Sequence, residues 1–120
     1  MGGKEEVRIQ RGTVVLVQLD PTRGHEQRGT RPCVVVSDTD VSEDQRFPLL
    51  AVVPISSKAG EGALYPELRP GRSGLRQASF ALVDQIRSVD KRRVVGAFGR
   101  LPAEELAAID EGLLLFLGLG

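Results

Sequence analysis

Thr13-Val14-Val15-Leu16-Val17-Gln18-Leu19, stopped by Asp20-Pro21, is the stretch on which the fold turns. It is short and β-branched and ends at a residue with no amide hydrogen. It therefore reads as a β-strand, because a helix would restrict every valine and break at Pro21. Working outward, residues 22–31 form a long polar loop, and a second β-branched run, Cys33-Val34-Val35-Val36-Ser37, begins after Pro32. A third run, Leu49-Leu50-Ala51-Val52-Val53-Pro54-Ile55, is apolar without alternation, which predicts burial on both faces, and Pro54 predicts a bulge or edge near its end. Residues 56–76 carry Gly60, Gly62, Pro66, Pro70, Gly71 and Gly74 and read as loop, with one short strand near residues 65–68. Strands are predicted again over residues 78–86 and 94–98, on either side of the charged turn Ser88-Val89-Asp90-Lys91-Arg92-Arg93.

Beyond that point the period changes. Leu106, Ile109, Leu113, Phe116 and Leu117 fall on one helical face, Pro102 suits a first turn, Glu104 and Glu105 suit the positive end of the helix dipole, and Gly118 suits a stop. In the other direction, residues 1–10 are polar and patternless and read as a flexible leader ahead of one domain over residues 11–120. Short strands, turn-rich links and one closing helix define the expected fold: mainly β, a small barrel with a C-terminal α-helix.

A chain of 120 residues is the size of one domain, and a single cysteine, Cys33, excludes an internal disulfide framework. With one histidine, His25, it also leaves too few soft ligands for structural zinc, so no metal or other cofactor is expected. No run is long and apolar enough to cross a bilayer, and the N-terminus carries neither a secretory nor a myristoylation signal. A cytoplasmic protein without membrane partners is expected. Net charge is zero, but all 16 basic residues precede Leu101, against 12 acidic ones, while residues 101–120 hold four acids and no base. Such separation allows a basic binding face beside an acidic helix.

Chemistry concentrates in Asp20-Pro21-Thr22-Arg23-Gly24-His25-Glu26-Gln27-Arg28-Gly29-Thr30-Arg31-Pro32, between two strands. Guanidinium forks whose charge no accessible pH removes suit phosphate, while Glu26 and Gln27 could read base edges; a solvated hairpin loop is the alternative from composition alone. Cys33 reads as an inert buried thiol and His25 as a solvent-facing loop residue. Asp38-Thr39-Asp40-Val41-Ser42-Glu43-Asp44 lacks the sixth-place glycine and twelfth-place glutamate of a calcium loop and reads as a solvated acidic turn. Gly71-Arg72-Ser73-Gly74 is too short for a phosphate-binding P-loop. Arg69, Arg72, Arg76, Arg87, Lys91, Arg92 and Arg93 are further candidates for contact with a phosphate backbone. Phe80, Phe98 and Phe116 are assigned to the core, which leaves Phe47 and Tyr65 as stacking platforms.

These residues carry a resemblance. Gly12 to Gln27 followed by Arg31-Pro32-Cys33-Val34-Val35-Val36-Ser37, then Ile55-Ser56, then Ser79-Phe80-Ala81-Leu82-Val83-Asp84-Gln85-Ile86-Arg87-Ser88-Val89-Asp90-Lys91-Arg92, are similar to the MazF/PemK-type endoribonuclease toxins of type II toxin–antitoxin modules. The likeness spans about residues 11–119. It implies an SH3-like barrel of the CcdB/PemK type, a homodimer, and metal-independent cleavage of single-stranded RNA at a short sequence. It further implies a cognate MazE-like antitoxin whose acidic, apolar tail covers the basic groove. By the same resemblance Arg31 and Ser56 act at the scissile phosphate, Ser56 standing where the family carries threonine. Glu26, Gln27, Arg28, Ser79, Asp84, Gln85 and Arg87 are carried over as RNA-binding residues. The family's acidic residue and aromatic early in the first strand are Thr13 and Val15 here.

Cutting RNA without metal uses the neighbouring 2′-hydroxyl as nucleophile and leaves a 2′,3′-cyclic phosphate and a 5′-hydroxyl. The demand on the protein is to hold the phosphate in line and to meet the added negative charge, for which a guanidinium and a hydroxyl donor suffice. Two rivals remain at this level: a toxin of the same fold that binds RNA or a protein such as DNA gyrase without cutting, and a metal-dependent nuclease using Asp38 and Asp40.

Overall fold

In the computed structural model, which describes residues 8–58 and 60–120, the valine run becomes β1 (Thr13–Gln18). It is followed by β2 (Thr30–Val35), a single helical turn α1 (Thr39–Glu43) and β3 (Leu49–Ser56). Then come β4 (Glu67–Leu68), β5 (Ser79–Ala81), β6 (Arg87–Asp90), β7 (Val94–Arg100) and α2 (Ala103–Leu117). All pairings are antiparallel, in the order β4-β5-β3-β2-β1-β7, with β6 added on β3.

The absence of alternation in the apolar runs has the expected consequence. Successive residues of a strand point to opposite faces, and here both faces are covered. Val14, Val34, Val53 and Ile55 join Leu68, Ala81, Val83 and Leu101, and α2 closes this core with Ile109 and Leu113. On the other face Val15, Val17, Cys33, Val35 and Val52 pack with Leu19, Leu50 and Val89. Each buried valine, leucine or isoleucine among them contributes roughly 1.5–3 kcal/mol by leaving water. Val15 thus fills core space where the family has an aromatic, and Thr13 is buried with its hydroxyl donating to the Arg8 carbonyl (3.1 Å).

Curvature comes from small irregularities. The β1–β7 ladder shifts register twice, and Gly96 lies opposite Leu16. At Gly99 a Cβ would stand 1.7 Å from the Arg72 carbonyl oxygen, so only glycine lets the loop of residues 71–75 lie on β7, where Gly99 N–H donates to the Ser73 carbonyl (3.2 Å). The sheet therefore curls into a partial barrel with α2 on one side, as expected from the sequence.

Several expectations need correction. The strand over residues 78–86 shrinks to β5, because β5 and β6 both pair along β3. The chain steps from one half of β3 to the other through a turn of 3-10 helix, Val83–Gln85. The turn over residues 88–93 is half strand: Val89 pairs with Leu50 inside the core, and only Lys91–Arg93 turns, with Asp90 accepting from Arg92 N–H. The acidic segment is helical because Asp38 caps α1 by accepting from Asp40 N–H (3.0 Å), which also gives Asp38 a structural task unrelated to metal.

Phe116 and Leu117 project past the core into solvent, Phe98 is 43% exposed, and Phe80 is half-buried, so none of the three phenylalanines is a fully buried core residue. α2 is stopped by Gly118 in the left-handed conformation, as the sequence predicts. Of the leader, residues 1–7 lie outside the described residues. Arg8, however, pairs with Glu43 (2.8 Å) and Ile9 packs against the second core, so packing reaches back to residue 8. Among the described residues no helix is long and apolar enough to cross a membrane.

Candidate active site

The site arises where β2 and β3 part. They pair at Cys33↔Pro54, Val34↔Val53 and Val35↔Val52, and two residues further along the same register Arg31 comes opposite Ser56. By then each strand has another partner. Residues 30–32 stay with β1, as Gln18↔Thr30, Val17↔Arg31 and Leu16↔Pro32, while Ile55 and Ser56 pair with β5. Pro32 and Pro54 have no N–H to continue the ladder between them, so the proline that closes the polar loop and the proline in the third strand mark where the sheet opens.

The opening is a cavity of about 460 Å³ lined by Arg31, Ser56, Gln27 and Ser79 from the predicted site, together with Lys58 and Arg76. Leu16, Pro32, Ile55, Leu75 and Phe98 supply its apolar wall. Its lining among the described residues contains three cations and no Asp, Glu or His. The Arg31 guanidinium is oriented by Nε donating to the Arg28 carbonyl (2.8 Å), and its terminal nitrogens have no partner among the described residues. Ser56 Oγ accepts from Lys58 N–H (3.1 Å), which leaves the hydroxyl proton free to donate. Ser79 is buried, with Oγ donating to the Gln77 carbonyl (3.0 Å). Such a cleft suits an anion with several oxygens.

The other predicted residues gather around a second, smaller cavity of about 160 Å³. It is lined by Glu26, Asp84, Gln85 and Arg87 over Leu19, Pro54 and Ile86, and Gln27 borders both cavities. Asp84 Oδ2 accepts from the Tyr65 hydroxyl (2.5 Å), while its Oδ1 is buried with no partner among the described residues. The bond to Asp84 raises the Tyr65 pKa, with desolvation adding to it. Arg87 donates to the Leu19 carbonyl (3.2 Å), and Gln85 holds the loop of residues 22–29 through its side-chain amide. Arg28 lines neither cavity; it serves Arg31 through its carbonyl.

Of the wider set of basic candidates, most are engaged elsewhere. Arg69 binds Glu104 and Glu105, Lys91 Nζ donates to the Val41 and Asp44 carbonyls, Arg92 pairs with Asp90, and Arg93 donates to the Gln18 and Asp20 carbonyls. Arg11 takes Asp110, so three of the four acids of the C-terminal segment pair with two arginines from the body of the chain. Tyr65 is tied down by Asp84 and lies against Gly60; the aromatic at the cavity is Phe98. Lys58 and Phe98 escaped the sequence reading. The signal available for Lys58 was its place two residues past Ser56, on the turn leaving the strand. Cys33 is buried, and desolvation pushes its thiol up to about 12 against the opposing charge of Arg87, so it stays protonated and inert.

A curled antiparallel sheet closed by one helix, with a cationic cleft where two strands part, defines the class: a small, mainly β protein. Comparison with known proteins gives the family. Residues 10–117 match the model of the PemK-like, MazF-like toxin of type II toxin–antitoxin systems. The chain is 36% identical over 117 residues to endoribonuclease MazF9 of Mycobacterium tuberculosis, covering 92% of this chain and 98% of that protein. In structure it is similar to MazF of Deinococcus radiodurans, with a TM-score of 0.80 at 28% identity over 95% of this chain and all of the other. It is likewise similar to a chain of the MazE–MazF complex of the same organism, with a TM-score of 0.74 at 28% identity over 96% of this chain and all of that one. This chain belongs to the PemK-like, MazF-like toxin family.

Proposed function

We propose that the cleft between β2 and β3 cuts single-stranded RNA at a short sequence, without metal, by attack of the 2′-hydroxyl on the adjacent phosphorus. The observation that carries this reading is the convergence of Arg31 and Ser56 on one cationic cavity from strands that have parted. As the bond from O2′ to phosphorus forms and the bond to O5′ breaks, negative charge grows on the non-bridging oxygens. The free terminal nitrogens of Arg31 meet that charge and the Ser56 hydroxyl donates to one oxygen. No carboxylate or imidazole lines the cavity among the described residues. The proton lost by the 2′-hydroxyl and the one gained by O5′ are therefore exchanged through solvent. Arginine, which keeps its charge at any accessible pH, stabilises charge and does not shuttle protons. Lys58 and Arg76 take flanking phosphates, and the smaller cavity, with Glu26, Gln27 and Asp84, receives a neighbouring base.

The protein works as the toxin of a toxin–antitoxin pair in the cytoplasm, as a homodimer. A MazE-like antitoxin with an acidic, apolar tail occupies the same cleft, since only an anionic segment complements its three cations. The test is incubation of the purified protein and its Arg31→Ala and Ser56→Ala variants with a long RNA in excess EDTA, followed by mapping of the new ends. Chelator-resistant cuts at one motif, with 2′,3′-cyclic phosphate ends and lost in Arg31→Ala, are expected. Binding without cutting would favour a non-catalytic toxin of this fold, and loss of cutting in EDTA a metal-dependent nuclease.

A further inference from the structure

The loop that separates the two cavities has little to hold it. Gly24 and Gly29 both sit in the left-handed region, at φ 62° and 72°, where the chain is permissive. The bonds from Arg23 N–H to Glu26 Oε1 (2.8 Å) and from Glu26 N–H to the Arg23 carbonyl (3.3 Å) fold it onto itself, and Gly29 closes its neck with Leu19 and Asp20. Among the described residues, the hydrogen bonds that tie residues 22–27 to a distant part of the chain come from one side chain. Gln85 Oε1 accepts from Gln27 N–H (2.8 Å), and its Nε2 donates to the His25 carbonyl (3.3 Å). The base of this clamp is firm: Val83 is buried, its N–H donates to the Leu64 carbonyl (3.0 Å), and the 3-10 turn closes with Gln85 N–H on the Leu82 carbonyl (2.9 Å).

We propose that Gln85 is a positioning residue, whose side-chain amide pins residues 25–27 so that Gln27 stands as the wall between the scissile-phosphate cavity and the base cavity. The inference rests on the endoribonuclease reading above and deepens it: sequence preference depends on Gln85 through Gln27, because the amide of Gln85 is committed to the loop. The conformational freedom of residues 22–29 is then withdrawn before RNA arrives, which lowers the entropic cost of binding.

Gln85→Met keeps the volume of the side chain and removes both bonds. Amide exchange is measured on RNA-free protein, and cleavage on a panel of RNAs that vary around the cut. In the wild type the Gln27 amide is expected to exchange more slowly than those of Glu26 and Arg28. In Gln85→Met its exchange should accelerate by about tenfold, and KM should rise by about tenfold with kcat within about threefold of wild type. Preference should loosen at the same RNA position as in Gln27→Ala. A Gln27 amide unprotected in the wild type overturns the clamp, and this needs no variant to fold. So does a raised KM in Gln85→Met with Gln27 exchange unchanged, which would make Gln85 a direct RNA contact. Gln85-dependent protection in a protein that cuts no RNA would separate the two ideas, overturning the endoribonuclease reading and with it the role of the clamp in cleavage.

Discussion

Arg31 and Cys33 stand two residues apart on one strand and have opposite fates, because the sheet opens between them. Arg31 lies where β2 has left β3, so its guanidinium reaches a cavity, and among the described residues only its Nε is bonded. Cys33 is still paired on both sides, with Val15 and Pro54, and has no exposed surface. Burial pushes its thiol pKa up from the ordinary 9.0 to about 12. The native state therefore keeps the proton between about pH 9 and 12, where the unfolded chain loses it, and this group makes stability fall as pH rises through that window. Iodoacetamide should leave Cys33 unmodified in the native protein at pH 8 and label it on unfolding, read by intact mass; rapid labelling of the native state would contradict the burial.

At the scale of elements, the strands on either side of the opening were legible and the connections were not. β1, β3 and α2 follow from β-branched runs, two prolines and a helical period, all local signals. The 3-10 turn at Val83–Gln85 and the extra strand β6 arise because two segments compete for the same edge of β3, which no window of sequence contains. Of the site, Arg31 and Ser56 were legible through the family resemblance, whereas Lys58 and Phe98 reach the cavity only through loop placement and sheet curl. The curl itself can be tested. A methyl at Gly99 would meet the Arg72 backbone at 1.7 Å, while at Gly96 it would meet only Leu16 at 3.6 Å. Gly99→Ala should cost more than about 2 kcal/mol in denaturant unfolding, and Gly96→Ala less than about 1 kcal/mol. Equal losses would mean the loop is not seated on β7.

For the molecule as a whole, zero net charge conceals a division of labour among its arginines. Arg11, Arg69 and Arg92 are consumed in ion pairs, whereas Arg31, Lys58 and Arg76 line one cleft and have no ion pair among the described residues. RNA affinity should fall steeply with salt, and Arg76→Ala should reduce the slope of log K against log salt by about 0.7, the value for one phosphate on a single strand. Arg92→Ala, whose partner is Asp90, should leave that slope unchanged. Reversal of the two would place the RNA on another face.

The joint action proposed for a guanidinium and a hydroxyl from diverging strands on one phosphodiester is read out by single-turnover cleavage in excess EDTA by Arg31→Ala, Ser56→Ala and the double variant. Arg31→Ala should lose about a thousandfold, Ser56→Ala about ten- to a hundredfold, and the double variant little more than Arg31→Ala alone, since groups serving one transition state are not additive. Cutting by Arg31→Ala at the wild-type rate and motif would rule that joint action out.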